Sequence, residues 1–268
     1  MTTGFLEQVV RDKRREVATK RAAMPEDALR EHCRRDVRDF HAAIARPGAV
    51  IAELKARTPT IDSFAQSGAL SALAATYAEN GASAISIVTD AVRFGTSLAD
   101  VRAVRAGVTL PLIAKDFVVD SYQIVEARAA GADAILLIAR LLDPARLRAF
   151  LDFAHGLGMS ALVEAHDEAD VRAAADAGAP IIGINNRDLD TMTVSLDTTR
   201  RLARLAPRGA VLVSESGIRS RADIDDLARH GATAFLVGGS LLEAADPAAK
   251  LRELAGRGAA GPATETAR

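Results

Sequence analysis

Five charged side chains stand at the ends of short apolar runs: Glu53 and Lys55 after Val50-Ile-Ala, Lys115 after Leu110-Pro-Leu-Ile-Ala, Glu164 after Ala161-Leu-Val, and Glu215 after Val211-Leu-Val-Ser. Ammonium groups gathered in one pocket can protonate or polarise a carbonyl or a leaving oxygen. Carboxylates beside them can take the matching protons or stabilise a passing iminium cation. A purely structural account must find a partner for every one of these charges, because an ionised group is costly to bury alone. Groups of this kind with perturbed proton affinities collect at active sites. A fifth run, Pro180-Ile-Ile-Gly-Ile, ends on Asn185-Asn-Arg187 and adds polar groups of the same placement.

Two stretches, the Glu215 run among them, carry glycine just past the strand end. Val211-Leu-Val-Ser-Glu-Ser-Gly217 and Ala234-Phe-Leu-Val-Gly-Gly-Ser240 both run from apolar residues into a small-residue turn. A strand, a Gly turn and a helix start present backbone N–H groups that can cradle a phosphate. The glycines could equally serve only to turn the chain. Their order late in the sequence favours the cradle, which a (β/α)8 barrel builds after its seventh and eighth strands. A phosphate so anchored lends its binding energy to orienting the reacting end of the substrate.

These side chains need a frame that brings strand ends together, and the sequence repeats one. Apolar runs at 50–55, 84–89, 110–115, 134–138, 160–164, 180–184, 210–214 and 234–237 read as eight strands. Several are announced by one phrase: Gly81-Ala-Ser-Ala84, Gly131-Ala-Asp-Ala134, Gly178-Ala-Pro180 and Gly231-Ala-Thr-Ala234, each Gly turning a helix into the next strand. Asp120 with Gln123 and Ser220 with Asp223 have capping-box spacing, and Asp143-Pro144 and Asp246-Pro247 place a cap before Pro. The predicted fold is α/β, an eightfold (β/α) TIM barrel over residues 49–256 with an N-terminal helical extension over 1–48. A Gly-, Ala- and Pro-rich tail over 257–268 has little to bury. An open doubly wound sheet would want Gly-x-Gly-x-x-Gly after the first strand, where the chain reads Ala56-Arg-Thr-Pro-Thr60. In the extension, the basic run Arg11 to Arg15 is interleaved with Glu7, Asp12 and Glu16 and reads as a solvated helix face.

Composition narrows the function further. With 268 residues, 49 % hydrophobic, the chain can fill one large core, and a net charge of -1 offers no field for nucleic acid or an anionic membrane. The single cysteine, Cys33, excludes an internal disulfide and a Cys-rich metal site. There is no secretory signal pattern at Met1-Thr-Thr-Gly-Phe5, so a cytoplasmic location is expected. No cofactor motif and no metal set appear, which leaves a small phosphorylated molecule as the expected partner. The sequence names no protein partner and no oligomeric state. His166 comes nearest a strand end, but beside Asp167-Glu168 it reads as a surface or capping residue.

The motifs Ile51-Ala-Glu-Leu-Lys55, Val88-Thr-Asp90 with Phe94-Gly95, Lys115-Asp-Phe117, Leu162-Val-Glu164, Ile182-Gly-Ile-Asn-Asn-Arg-Asp-Leu189, Ser214-Glu-Ser-Gly217 and Leu236-Val-Gly238 together resemble the indole-3-glycerol-phosphate synthase family of tryptophan biosynthesis, from about Phe5 to Leu254. The resemblance implies ring closure of 1-(2-carboxyphenylamino)-1-deoxyribulose 5-phosphate to indole-3-glycerol phosphate, with loss of carbon dioxide and water. It implies Lys115 as general acid and Glu164 as the carboxylate that stabilises the cationic intermediate. Glu53 and Lys55 would serve the dehydration, and Asn185 and Glu215 would hold substrate hydroxyls and the lysine network. Ser216, Gly217, Gly238 and Gly239 would bind the phosphate, Phe94 and Arg187 would border the aromatic pocket, and Thr58 would stand in the loop over the site. That loop departs from the family's Ser-Pro-Ser-Lys-Gly, reading Thr58-Pro-Thr-Ile-Asp62, and Ala114 replaces a common Arg. A paralogue acting on a ring-substituted substrate and a non-catalytic phosphate-binding scaffold are the alternatives.

Overall fold

The computed structural model of the chain describes residues 4–33, 36–58, 70–189 and 191–257. Residues 59–62 of the loop after the first strand, and the tail from 258 onward, lie outside these described residues. Eight parallel strands close into a barrel in sequence order. They are β1 Ala49–Leu54, β2 Ala84–Val88, β3 Leu112–Lys115, β4 Ala134–Ile138, β5 Ser160–Ala165, β6 Ile181–Asn185, β7 Val211–Glu215 and β8 Ala234–Val237. Closure is made by β1 on β8, with Ile51 opposite Leu236. The eight predicted strands are all present, β4 and β8 with the predicted bounds and the others with an end displaced by one or two residues.

Helices α1 Phe5–Ala23, α2 Glu26–Glu31 and α3 Phe40–Ile44 precede the barrel. The outer layer is α4 Leu70–Glu79, α5 Ala91–Phe94, α6 Leu98–Gly107, α7 Ser121–Ala130, α8 Pro144–Gly156, α9 Glu168–Asp176, α10 Asp197–Leu202, α11 Arg221–Arg229, α12 Gly239–Leu242 and α13 Pro247–Leu254. The predicted caps form: Asp120 and Ser220 close capping boxes on α7 and α11, and Asp143 and Asp246 cap the Pro-led α8 and α13. Gly81, Gly131, Gly178 and Gly231 all take positive φ, the backbone state that the helix-to-strand turn requires.

Because side chains alternate along a strand, each strand feeds two cores. Val50, Ala52 and Leu54 face the helices, whereas Ala49 and Ile51 face the barrel axis with Ile113, Leu136, Leu162, Val213 and Leu236. Phe40 and Ile44 of α3 join this inner cluster beside Ala49 and Ala84 at the N-terminal ends of the strands. The inner column is therefore apolar below and can turn polar only at the C-terminal mouth.

The extension corrects one expectation. Lys13, read as part of a solvated face, is buried: its Nζ lies 2.8 Å from Asp116 Oδ1, 3.1 Å from Glu16 and 3.6 Å from Asp90. The reason is tertiary, since α1 lies across the barrel rim where Asp90 leaves β2 and Asp116 leaves β3. Burial alone would disfavour the Lys13 charge, but Asp116, Asp90 and Glu16 outweigh it and raise the ammonium above its ordinary value. Arg93 extends the contact through Asp12 at 2.6 Å, and Phe5 packs edge-on against Phe117.

Candidate active site

The strand register brings the predicted charges to one level. Val88 pairs with Lys115, Ile138 with Glu164, Glu164 with Gly183, and Asn185 with Glu215. The mouth they share is a cavity of about 680 Å³ lined by Glu53, Lys55, Lys115, Glu164, Asn185 and Arg187, with Thr58 and Phe94 at its wall. Ser216, Gly217, Gly238 and Gly239 also line it. Glu215 is the exception: it is buried below the floor and reaches the site through Lys115.

Two ion pairs meet at this floor. Lys55 Nζ donates to Glu53 Oε1 at 2.5 Å, as expected of side chains two apart at a strand end. Lys115 Nζ stands 3.3 Å from Glu164 Oε2 and 3.5 Å from Glu215 Oε2. Burial would lower the Lys115 proton affinity, but Glu164, Glu215 and Glu53 reverse the effect and hold the ammonium well above its ordinary value. Burial likewise opposes the Glu164 charge, and Lys115, His166 and Asn185 overcome it, keeping the carboxyl ionised far below the usual range. For Glu53 the balance falls the same way through Lys55 and Lys115. Glu215 goes in the opposite direction. Burial and the neighbouring Glu164 charge push it up to about 8, against the pull of Lys115. One carboxyl of the pair is thus ionised and the other protonated at neutral pH, a division set by environment.

The space for Glu215 is made by an absent side chain. A Cβ at Gly183 on β6, two residues before Asn185, the partner of Glu215, would collide with Glu215 Oε1. Gly238 does the same for the other pair, since a Cβ there would lie 2.5 Å from Glu53 Oε1.

The cradle after β7 is backbone-strained. Ser216 has φ 67 and Gly217 φ 81, so Ser216 sits in the left-handed region without being glycine. Asn186 braces it: its side-chain amide donates to the Ser216 carbonyl and to Ser214 Oγ, both at 3.0 Å, while its carbonyl oxygen accepts from Thr199. The sequence marked Asn186 only as part of a polar strand end. Its role shows once Thr199 and Ser214 surround it. Phe117, Ile138, Leu189, Met192 and Val194 add apolar lining to the cavity, Val194 lying against Gly217 of the cradle. Carboxylates, ammonium groups, an apolar wall and a small-residue loop together suit a phosphorylated substrate with an aromatic part.

His166 corrects the second expectation. It is neither at the surface nor a cap: β5 continues through Ala165, so His166 follows the strand directly and turns in beside Glu164. Asp167, the next residue, supplies the cap of α9. Among the described residues no cluster of His, Cys, Asp and Glu could hold a metal ion, and no helix is long and apolar enough to cross a membrane.

A family profile described as indole-3-glycerol phosphate synthase matches residues 6–254. The chain belongs to the indole-3-glycerol phosphate synthase family. A protein of that name from Roseiflexus sp. (strain RS-1) is 46 % identical over 264 residues, covering 94 % of this chain and 98 % of the relative. Another from Nocardioides sp. (strain ATCC BAA-499 / JS614) is 48 % identical over 212 residues, covering 79 % and 82 %. Among solved structures, a 3-hexulose-6-phosphate synthase shares 17 % identity with TM-score 0.64 over 78 % of this chain and 99 % of that one, a likeness of fold alone. This indole-3-glycerol phosphate synthase family member carries its charged set at the ends of four different strands, β1, β3, β5 and β7, which is why only a closed barrel assembles it.

Proposed function

We propose that the chain catalyses ring closure of 1-(2-carboxyphenylamino)-1-deoxyribulose 5-phosphate to indole-3-glycerol phosphate, with carbon dioxide and water released. The observation that carries this reading is Lys115, held between Glu164 and Glu215 on the floor of a cavity that also contains Glu53 and Lys55. The ribulose phosphate seats on Ser216, Gly217, Gly238 and Gly239, and the aromatic ring lies toward Phe94 and Arg187. The ring carbon bearing the carboxylate attacks the C2 carbonyl while Lys115 gives its proton to the carbonyl oxygen, which becomes a hydroxyl. Glu164 stays ionised and stabilises the nitrogen-centred cation that results. Carbon dioxide leaves with its bonding pair returned to the ring. The new hydroxyl then departs as water, with Lys55 protonating it and Glu53 taking the matching proton. Asn185 orients substrate hydroxyls. Glu215, protonated beneath Lys115, is placed to replace the proton that Lys115 gives up. Thr58 stands at the cavity edge, where a hydroxyl can meet bound phosphate.

Incubation of the purified chain with this substrate, followed by indole fluorescence and by carbon dioxide release, tests the reading. One carbon dioxide per indole is expected. Binding of the substrate with neither signal would leave the scaffold alternative standing instead.

A further inference from the structure

His166 is buried against the reaction floor, yet none of the steps above uses it. We propose that His166 is a positioning residue for Glu164, fixing that carboxylate toward Lys115 and holding it in its ionised form. The inference rests on the role given to Glu164 above. His166 Nε2 lies 3.2 Å from Glu164 Oε1, and Nδ1 lies 3.6 Å from Asp170 Oδ2 on α9. Asp170 is itself tied down. It accepts from the His166 backbone N–H at 2.9 Å and from Arg140 Nε at 2.9 Å, while Arg140 also pairs with Asp167 at 2.9 Å. A chain of alternating charge therefore runs from the outer helix to the floor, Arg140, Asp170, His166, Glu164 and Lys115, with the protonated Glu215 beyond it. Each carboxylate of the chain has a cation on both sides, whereas Glu215 has one on a single side.

The arrangement explains how two buried carboxyls only a lysine apart remain distinct. Glu164 sees Lys115 on one side and His166 on the other, whereas Glu215 sees only Lys115. Burial works against a charge on His166, but Asp170 and Glu164 outweigh it and push the imidazole up to about 9. A cation on the far face of Glu164 makes that carboxylate reluctant to take the Lys115 proton. It thus keeps the acid charged and the stabiliser anionic. The imidazole does not line the cavity, so it acts through Glu164 and not on substrate.

The test is a pH profile of turnover with His166→Ala and His166→Gln, together with imidazole NMR of the wild-type chain and of Glu164→Gln. For His166→Ala, kcat falls about 10- to 100-fold, as expected of a misplaced catalytic group. KM stays within about threefold. The acid limb moves to higher pH because Glu164 has lost a cation that favours its ionised form. His166→Gln keeps an N–H donor, so it recovers most of kcat while the acid limb stays displaced. In the NMR arm, His166 is protonated at neutral pH in the wild type, and its titration midpoint drops by at least about one pH unit in Glu164→Gln. That arm needs no turnover, so it stands apart from the proposed activity and from any failure of the alanine variant to fold. A wild-type kcat and acid limb in His166→Ala would overturn the inference, as would a His166 midpoint that ignores Glu164→Gln. A loss of kcat with an unmoved acid limb and no rescue by Gln would reduce His166 to packing.

Discussion

The barrel buries charge at both ends, and the two ends treat it differently. At the N-terminal end Asp133, fully buried, accepts from three donors: Arg105 Nη1 at 2.6 Å, the Leu112 N–H at 2.9 Å and the Arg38 N–H at 2.8 Å. At the C-terminal mouth Glu164 Oε2 and both carboxyl oxygens of Glu215 are buried with no hydrogen-bond partner among the described residues. Asp133 is closed by rigid backbone groups and ties α6, β3 and the segment before α3 together. The mouth leaves acceptor capacity open beside an ammonium group. A carboxylate closed by fixed backbone donors serves the fold, whereas two carboxyls that share the one Lys115 ammonium are arranged for proton transfer.

Breaking each end should have separable consequences. Glu164→Gln removes the charge that stabilises the cationic intermediate. It should cut kcat about 10²- to 10³-fold, read by indole fluorescence, with the unfolding midpoint little changed. Asp133→Ala removes the buried partner of Arg105 and leaves it only Asp36, a largely exposed carboxylate. With the Leu112 and Arg38 N–H groups also losing their acceptor, it should cost about 3–5 kcal/mol in urea unfolding, while the folded fraction turns over as the wild type does. If Asp133→Ala lost activity without losing stability, the contrast would be wrong.

Gly183→Ala sharpens the comparison, because it adds one methyl group where the Glu215 carboxyl sits. Overpacking of this kind costs about 1–3 kcal/mol, and the displaced Glu215 should lower kcat as well, so both readouts move together. Glu215→Gln gives the smallest effect at low pH and a growing one above it. The folded-state value of Glu215 is raised from 4.5 to about 8, so its protonated form favours folding fully below 4.5, and that contribution is lost as pH rises to about 8. Relative to wild type, Glu215→Gln should therefore gain stability across that window, by at least about 1 kcal/mol, since a tenfold change in proton affinity is worth about 1.4 kcal/mol. A stability difference flat across the window would remove the protonated Glu215 from the account.

Most of the frame is legible in the residues because it is local. Short apolar runs, Gly turns and caps such as Asp120 and Ser220 act within a few residues, and they place all eight strands. The charged set is legible for a related reason: Lys115 and Glu164 interrupt apolar runs at strand ends, where an isolated charge has no local partner. The misses are long-range. Lys13 looked solvated because its partners Asp90 and Asp116 lie on strands far along the chain. His166 looked like a cap because the strand was ended one residue early, leaving the helix that begins nearby as its context. Glu215 was placed in the pocket, whereas Gly183 draws it beneath the floor. In that last case the signal is a glycine within the β6 strand, legible only once its neighbour is known.

The most direct test of the whole account is turnover of the anthranilate-derived ribulose phosphate by Lys115→Ala, read as indole fluorescence beside a measurement of substrate binding. The lysine at the centre of the floor should account for catalysis, so the variant should bind substrate to within about tenfold of wild type and lose at least about 10³-fold in kcat. Turnover at the wild-type rate would show that the reaction does not pass through Lys115, and the arrangement described around it would lose its meaning.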